Sequence, residues 1–281
     1  MINSAFVNNV ITSLYLFHAL KTLTMRTSSL PKVSVLVPAF NEEKYIRQTL
    51  DAILLQDYPH FEIIVADNGS TDRTSVIVRQ FMERNVFSKL SVTLLYEAKK
   101  GTNHARECAR KAASGSIIAQ LDADCLPAKD WISKGVAAIC NHQMYAAVTG
   151  PYDYFDSKQD LRFFSLFSQK IFYPVINTLV QRFGRGAILI GGNAFIRADI
   201  LAHIGGYNTA LTFYGDDVDL GKQLARIGFV AFCPSLVLLS SSRRYKAAGF
   251  WQVNKKYQRY FWNLVWGRND LLNTMEHHHP R

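Results

Sequence analysis

The 281 residues lack several features that would settle their class at once. Neither GxGxxG nor GxxxxGK[ST] occurs, so the usual dinucleotide and P-loop readings fail. Cysteine is scarce. Cys108, Cys125, Cys140 and Cys233 lie far apart with no CxxC among them, which excludes a disulfide frame and a thiolate zinc site. Reduced thiols in a cytoplasmic protein are the expectation. No apolar run approaches the ~20 residues of a clean membrane span. Internal repeats and low-complexity segments are absent too. From Leu220 to Asn269 there is no Asp or Glu, while Lys222, Arg226, Arg243, Arg244, Lys246, Lys255, Lys256, Arg259 and Arg268 fall in that stretch. The net charge of +10 is therefore concentrated late in the chain, and it suits an anionic partner.

What is present is an ordinary globular balance, 48% hydrophobic and 19% charged, in a chain long enough for a substantial core. Residues 1–31 form an N-terminal segment and linker. Asn3, Asn8, Asn9 and His18 interrupt its apolar residues, whereas Phe6, Val10, Leu14 and Phe17 fall at helical spacing. This predicts an amphipathic helix that packs on the protein or lies on a membrane. With no basic residue before Lys21, it lacks the charged start of a signal peptide.

Beyond the linker, "VSVLVPAF" is too short for a helix and reads as a buried strand. An amphipathic helix follows, with Ile46, Leu50, Ile53 and Leu54 on one face. "FEIIVAD", "LSVTLLYE" and "SIIAQLDAD" read as further strands, alternating with helices over "RTSVIVRQFMERN" and "NHARECARKAAS". Strand and helix alternate three times in about 90 residues, the pattern of a mostly parallel α/β sheet covered on both faces. Such a sheet binds its ligand at the carboxyl ends of its strands. Later, residues 161–183 carry Phe164, Phe167, Ile171, Val175 and Leu179 at helical spacing, with a break expected at Pro174. "RGAILIGGNAFIRADIL" is expected to form two strands about a glycine turn, "GDDVDLGKQLARIG" a short helix, and "VAFCPSLVLLSSS" one strand.

Asp122 and Asp124 end the fourth strand. In extended chain, residues two apart point the same way, so both could reach one divalent cation; a capping turn is the competing explanation. Asp67 ends the second strand, where its carboxylate would open onto the same crevice and accept a hydrogen bond from a base or a ribose. Asp-Asn-Gly-Ser is equally plain turn chemistry, with Thr71 or Asp72 to cap the next helix. Asp216 and Asp217 open a helix, where negative charge is favoured. Two adjacent carboxylates, with Asp219 behind them, exceed what a cap requires, and their repulsion would suit a general base.

"VSVLVPAFNEEKYIRQTLDAILLQDYPHFEIIVADNGSTDRT", "KKGTNHARECARKAASGSIIAQLDADC" and "GGNAFIRADILAHIGGYNTALTFYGDDVDLGKQLARIG" together resemble the family 2 inverting glycosyltransferases of GT-A fold, in order, over about residues 33–230. The resemblance implies a metal-dependent enzyme moving a sugar from a nucleotide-sugar, expected to be UDP-linked, to an acceptor hydroxyl with Mn²⁺ or Mg²⁺. It implies that Pro38, Phe40, Asn41 and Glu42 line the nucleotide pocket, with Asp67 on the base and Asn68 and Ser70 nearby. Gly101 matches the family's loop glycine, and Arg106 the helix arginine near the diphosphate. Asp122 and Asp124 match the DxD pair, with Asp124 the more direct metal ligand, and Asp217 matches the base. This chain has Asp216-Asp217 where the family usually has Glu-Asp, and Glu107 where an Asn is usual. It has no QxxRW, the signature of processive synthases, which favours single additions.

The resemblance divides the chain at 32–242, with a donor half (32–127) and an acceptor half (128–242). Residues 243–281 form a basic, aromatic segment. Arg243 and Arg244 are its candidates for direct phosphate contact, with either a phosphorylated lipid acceptor or the donor diphosphate. Basic and aromatic residues interleaved in this way suit a membrane interface, and with residues 161–183 they suggest a lipid-linked glycan acceptor at the cytosolic membrane face. A helix packing on the sheet, its lysines in water, is the competing explanation. Nucleic acid is not an expected partner. Two further readings stay open: a nucleotidyltransferase on the same fold, and a non-catalytic membrane scaffold.

Overall fold

The computed structural model describes residues 30–86, 90–211 and 215–249, together with 252, 253, 255 and 259. The N-terminal helix expected before residue 30, and most of the basic aromatic segment, lie outside the described residues. The chain divides into two units, residues 1–31 and residues 32–281, and the second holds the elements described here.

Strand β1 (Val33–Ala39) lies inside the sheet, buried on both faces. Its alternate side chains feed two cores. Val33, Val35 and Val37 point into one, and Leu36 into the other. It pairs in parallel with β2 (Phe61–Asp67) on one side and β4 (Ile117–Leu121) on the other, and β2 pairs with β3 (Ser91–Tyr96). The first core is closed by α1 (Ile46–Leu54), α2 (Thr74–Arg84) and α4 (Trp131–Cys140), through Ile46, Leu50, Ile53, Val78, Phe81, Trp131 and Ile132. The second is closed by α3 (Thr102–Ala112) and two later helices, α6 (Ala198–His203) and α7 (Asp216–Leu224), through Ala105, Ala109, Leu201, Leu220 and Leu224. Helices thus cover both faces, as the alternation of strands and helices predicts.

The sheet has seven strands in the order β3-β2-β1-β4-β8-β6-β9, where β6 is Tyr145–Thr149, β8 Asn193–Arg197 and β9 Phe229–Phe232. The antiparallel strand β8 is inserted between β4 and β6. Its first residue, Asn193, therefore pairs with Leu121, the last of β4. That register brings the loop before β8 to the carboxyl ends of the parallel strands. A second, three-stranded sheet joins β5 (Cys125–Leu126), β10 (Leu238–Ser240) and β7 (Tyr152–Tyr154).

Three expectations are corrected. Residues 187–190 are not a strand, because their amides bond sideways: Ile188 N donates to Asn177 Oδ1 (2.8 Å) and Ile190 N to Thr149 Oγ1 (3.0 Å). The stretch 230–242, expected as one strand, holds parts of two strands in different sheets, turned at Pro234. Helix α5 (Gln159–Arg182) runs through Pro174 without a break. A proline inside a helix costs about 3 kcal/mol. Here side-chain amides moor the helix on both sides of it. Gln169 exchanges hydrogen bonds with the backbone of Tyr152 (3.0 and 3.1 Å). Gln181 does the same with Val230 (2.8 and 2.9 Å), and Asn177 Nδ2 adds a bond to Val230 O (2.7 Å). Since β9 is an edge strand, these amides also satisfy backbone groups that would otherwise be open to another chain. The final helix described, α8, spans Arg243–Ala248.

Candidate active site

The carboxyl ends of β1, β2 and β4 face one way, and the loops leaving them build one side of the crevice. After β1 the chain turns through Asn41, a non-glycine residue at φ 55°. Asn41 is held there by Ser70 and Thr71: its N–H donates to Ser70 Oγ (2.9 Å), and its Oδ1 accepts from Thr71 N (2.9 Å). Asp67 is 3% exposed. Its Oδ1 accepts from Ser70 N (2.9 Å) and its Oδ2 from Ser75 Oγ. The carboxylate expected to open onto the crevice thus ties the strand end to its turn, with one lone pair per oxygen left for a ligand. Asn68 reaches the other way, donating to Glu97 O and Lys99 O and accepting from Gly101 N (2.8 Å). Beside it Lys100 Nζ lies 4.0 Å from the centre of the Phe40 ring. Pro38, Phe40, Asn41, Asp67, Asn68, Ser70 and Gly101 are thereby gathered along one lip.

The Asp122–Asp124 stretch is a turn, not extended chain, closed by Cys125 N donating to Asp122 O (3.2 Å). The expectation that both side chains point the same way, as residues two apart in a strand would, is corrected: β4 ends at Leu121, and the two carboxylates meet different partners. Asp122 accepts from Tyr152 OH (3.1 Å) and from Arg106 (3.4 Å), whereas Asp124 pairs with Arg243 Nε (3.0 Å). Arg243 also forks onto both oxygens of Glu42, which is 2% exposed. The start of the basic segment thus reaches the donor side of the crevice. Arg244 is placed in α8, and its side chain lies outside the described part.

Arg106 organises the opposite side. It is 3% exposed, and its guanidinium lies 3.1 Å from Asp216 Oδ2 and 3.0 Å from Asp217 Oδ1 besides Asp122. Asp216 and Asp217 open α7 after Gly215, so the helix dipole also favours their charge. Burial pushes the Asp217 carboxyl up, the charge of Asp216 adds to this and Asp122 adds less, while Arg106 pulls it down; the outcome is about 7. An acid poised there can exchange a proton near neutrality. Cys125 is fully buried, and burial followed by the charges of Asp124 and Asp122 raises its thiol, which leaves it protonated and a poor metal ligand.

Tyr152, Gly191 and Gly192 belong to this site, though the sequence alone assigned them no role. A Cβ on Gly191 would sit 1.8 Å from Asp217 Oδ1, and one on Gly192 2.0 Å from Tyr152 OH and 2.3 Å from Asp122 Oδ2. The paired glycines ahead of a strand were the available signal, since such a pair marks a close approach. Tyr152 offers none.

Two carboxylates two residues apart supply hard oxygen donors that suit Mn²⁺ or Mg²⁺. Among the described residues no third His, Cys, Asp or Glu joins them to complete a metal cage. Their oxygen chemistry suits such an ion, while the arrangement seen here spends Asp122 on Tyr152 and Arg106 and Asp124 on Arg243.

The sheet order and the carboxylate-lined crevice are of GT-A type. The family model described as Glycosyl transferase family 2 matches residues 34–205. The chain is 32% identical to the probable glycosyltransferase YdaM of Bacillus subtilis, over 74% of this chain and 50% of that one. The mannosyltransferase PcManGT of Pyrobaculum calidifontis, solved with GDP-Man and Mn²⁺, superposes with a TM-score of 0.60 at 25% identity, covering 87% of this chain and 70% of that one. TarS 1–349 of S. aureus, solved with UDP-GlcNAc, gives 0.57 at 20% identity over 75% and 58%. The chain belongs to glycosyl transferase family 2. It spans half or less of the length of curated relatives such as YdaM. Family membership favours the glycosyltransferase reading over the nucleotidyltransferase and scaffold readings.

Proposed function

We propose that this chain transfers a sugar, with inversion, from a nucleotide-sugar to an acceptor hydroxyl. The observation that carries the reading is the placement of the Asp217 carboxylate, 3.0 Å from the buried Arg106 guanidinium that also holds Asp216 and Asp122. In this reaction Asp217 takes the proton of the acceptor hydroxyl, and the oxygen forms a bond to the anomeric carbon. The bond from that carbon to the diphosphate breaks, and its electron pair leaves with the nucleoside diphosphate. Of the two aspartates Asp217 is the more open, with a side chain 36% exposed against 19% for Asp216, which supports its assignment as the base.

Residues 32–127 hold the donor. Asp67, Asn68, Ser70, Phe40 and Asn41 frame the nucleoside, and Arg243 contacts the diphosphate when released from Asp124. Asp122 and Asp124 would hold Mn²⁺ or Mg²⁺, which when bound offsets the charge gathering on the departing diphosphate. Residues 128–242 face the acceptor, a lipid-linked glycan at the cytosolic membrane face. A UDP-sugar is the proposed donor. UDP-GlcNAc in TarS supports it, and GDP-Man in the Pyrobaculum enzyme makes a guanosine donor the control.

The test is donor hydrolysis across UDP- and GDP-sugars with Mn²⁺ or Mg²⁺, alongside Asp124→Ala and Asp217→Asn. Loss of about 100- to 10,000-fold in turnover is expected for Asp217→Asn. Asp124→Ala should abolish the Mn²⁺-dependent thermal shift by UDP. Full turnover in both variants would overturn the site.

A further inference from the structure

Helix α5 is amphipathic the wrong way round for a helix in water. Its inward face carries Ser165, Gln169, Asn177 and Gln181, of which the three amides bond the edges of β7 and β9. Its outward face carries Phe163 (71% exposed), Phe164 (57%), Phe167, Ile171, Phe172 (54%), Val175 and Leu179. Between residues 163 and 181 Lys170 is the lone charged residue. An apolar band along a helix about 36 Å long exceeds the scattered exposure normal for a surface in water.

Length alone would let this helix cross a bilayer, but among the described residues no helix is apolar enough to do so. Its amides also bind it along one side to the sheet edges. Such a helix can lie in the interface plane and cannot span it. The charges around the band indicate which surface it meets. Residues 158–185 contain Lys158, Arg162, Lys170, Arg182 and Arg185 against the single acidic residue Asp160. Arg162 spends its charge on Asp153. Lys158 and Arg182 are exposed, one at each end of the helix. The first turn of the basic segment is close by, with Tyr245 OH 3.2 Å from Tyr154 OH in the strand that leads into α5.

We infer that the outward face of α5 is a docking surface for a bilayer carrying anionic lipids, with the phenylalanines in the acyl boundary and the flanking cations at the headgroups. Both ends of the helix lead to the crevice, through Tyr152 before it and Gly191 and Gly192 after it. The inference stands apart from the catalytic reading, because docking is measured with no donor present.

Flotation of the full chain at low salt with vesicles of phosphatidylglycerol and phosphatidylcholine tests it, against vesicles of phosphatidylcholine alone. The chain is expected to float with the anionic vesicles and not with the neutral ones. Phe164→Glu with Ile171→Glu should lower that partition at least tenfold with an unchanged melting midpoint, since both side chains are half exposed or more. If that variant does not fold, Phe163→Ser with Phe172→Ser takes its place with the same expectation. Arg182→Glu should lower partition about fivefold or more. Three results would overturn the inference: no flotation of the wild type, equal flotation of the glutamate or serine variant, or a stable dimer of this chain that the same substitutions convert to monomer.

Discussion

Arg106 and Asp217 are 111 residues apart in the chain and 3.0 Å apart in the fold. One buried guanidinium, shared with Asp216 and Asp122, keeps three carboxylates together without expelling any of them. Breaking a buried charge cluster by removing one partner costs about 3–5 kcal/mol. Arg106→Ala is accordingly expected to lose several kcal/mol in urea unfolding. It should also move the acidic limb of the pH–rate profile upward, because Arg106 pulls the Asp217 carboxyl down. A purely structural arginine would leave that limb in place.

The same carboxyl sets the sign of the wild-type profile. The base works ionised, so turnover should fall as pH drops through about 7 and level off above it. Asp216→Asn removes a like charge and should move the limb to lower pH while activity persists. If Asp216→Asn abolishes turnover and Asp217→Asn does not, the two roles are exchanged.

Gly191→Ala places a methyl where Asp217 Oδ1 now lies, 1.8 Å from the ideal Cβ. The carboxylate must move, and a misplaced base costs on the order of 100-fold in turnover. Gly192→Ala should act on the donor side instead, by displacing Tyr152 and Asp122. A comparison of kcat with the Mn²⁺ concentration giving half-maximal rate separates the two variants.

Glu62 supplies a stability test away from the crevice. Burial raises its carboxyl, but hydrogen bonds from Lys32, Ser34 and Ser114 outweigh burial and hold it down at about 2. A carboxyl with a lowered folded pKa stabilises the fold above its unfolded value, near 4.5, and that contribution is lost as pH falls from there toward 2. Denaturant midpoints should drop over this window in the wild type. In Glu62→Gln they should be lower at pH 7 and flatter below it.

The pattern of apolar residues was enough to predict the alternating elements of residues 33–121, the two-faced covering of the sheet, and carboxylates at strand ends and at the start of α7. These are local properties: side-chain period, turn residues and helix-start charge act over a few positions. The expected strand ran on through Asp124, whereas β4 stops with its apolar run at Leu121, and no local signal reports where a strand leaves its partner. The insertion of antiparallel β8 between β4 and β6 was not legible either, though it brings Gly191 and Gly192 against Asp217 and Asp122. Nor could spacing reveal that Arg243 reaches Glu42 across 201 residues, or that α5 turns its amides inward and its phenylalanines out. Strand register and packing decide which distant side chains share a space, and these are properties of the assembled sheet. The order of residues along the chain was enough to say which chemical groups were available. Which of them meet was settled by the packing of β8 and α7 against β4 and α3.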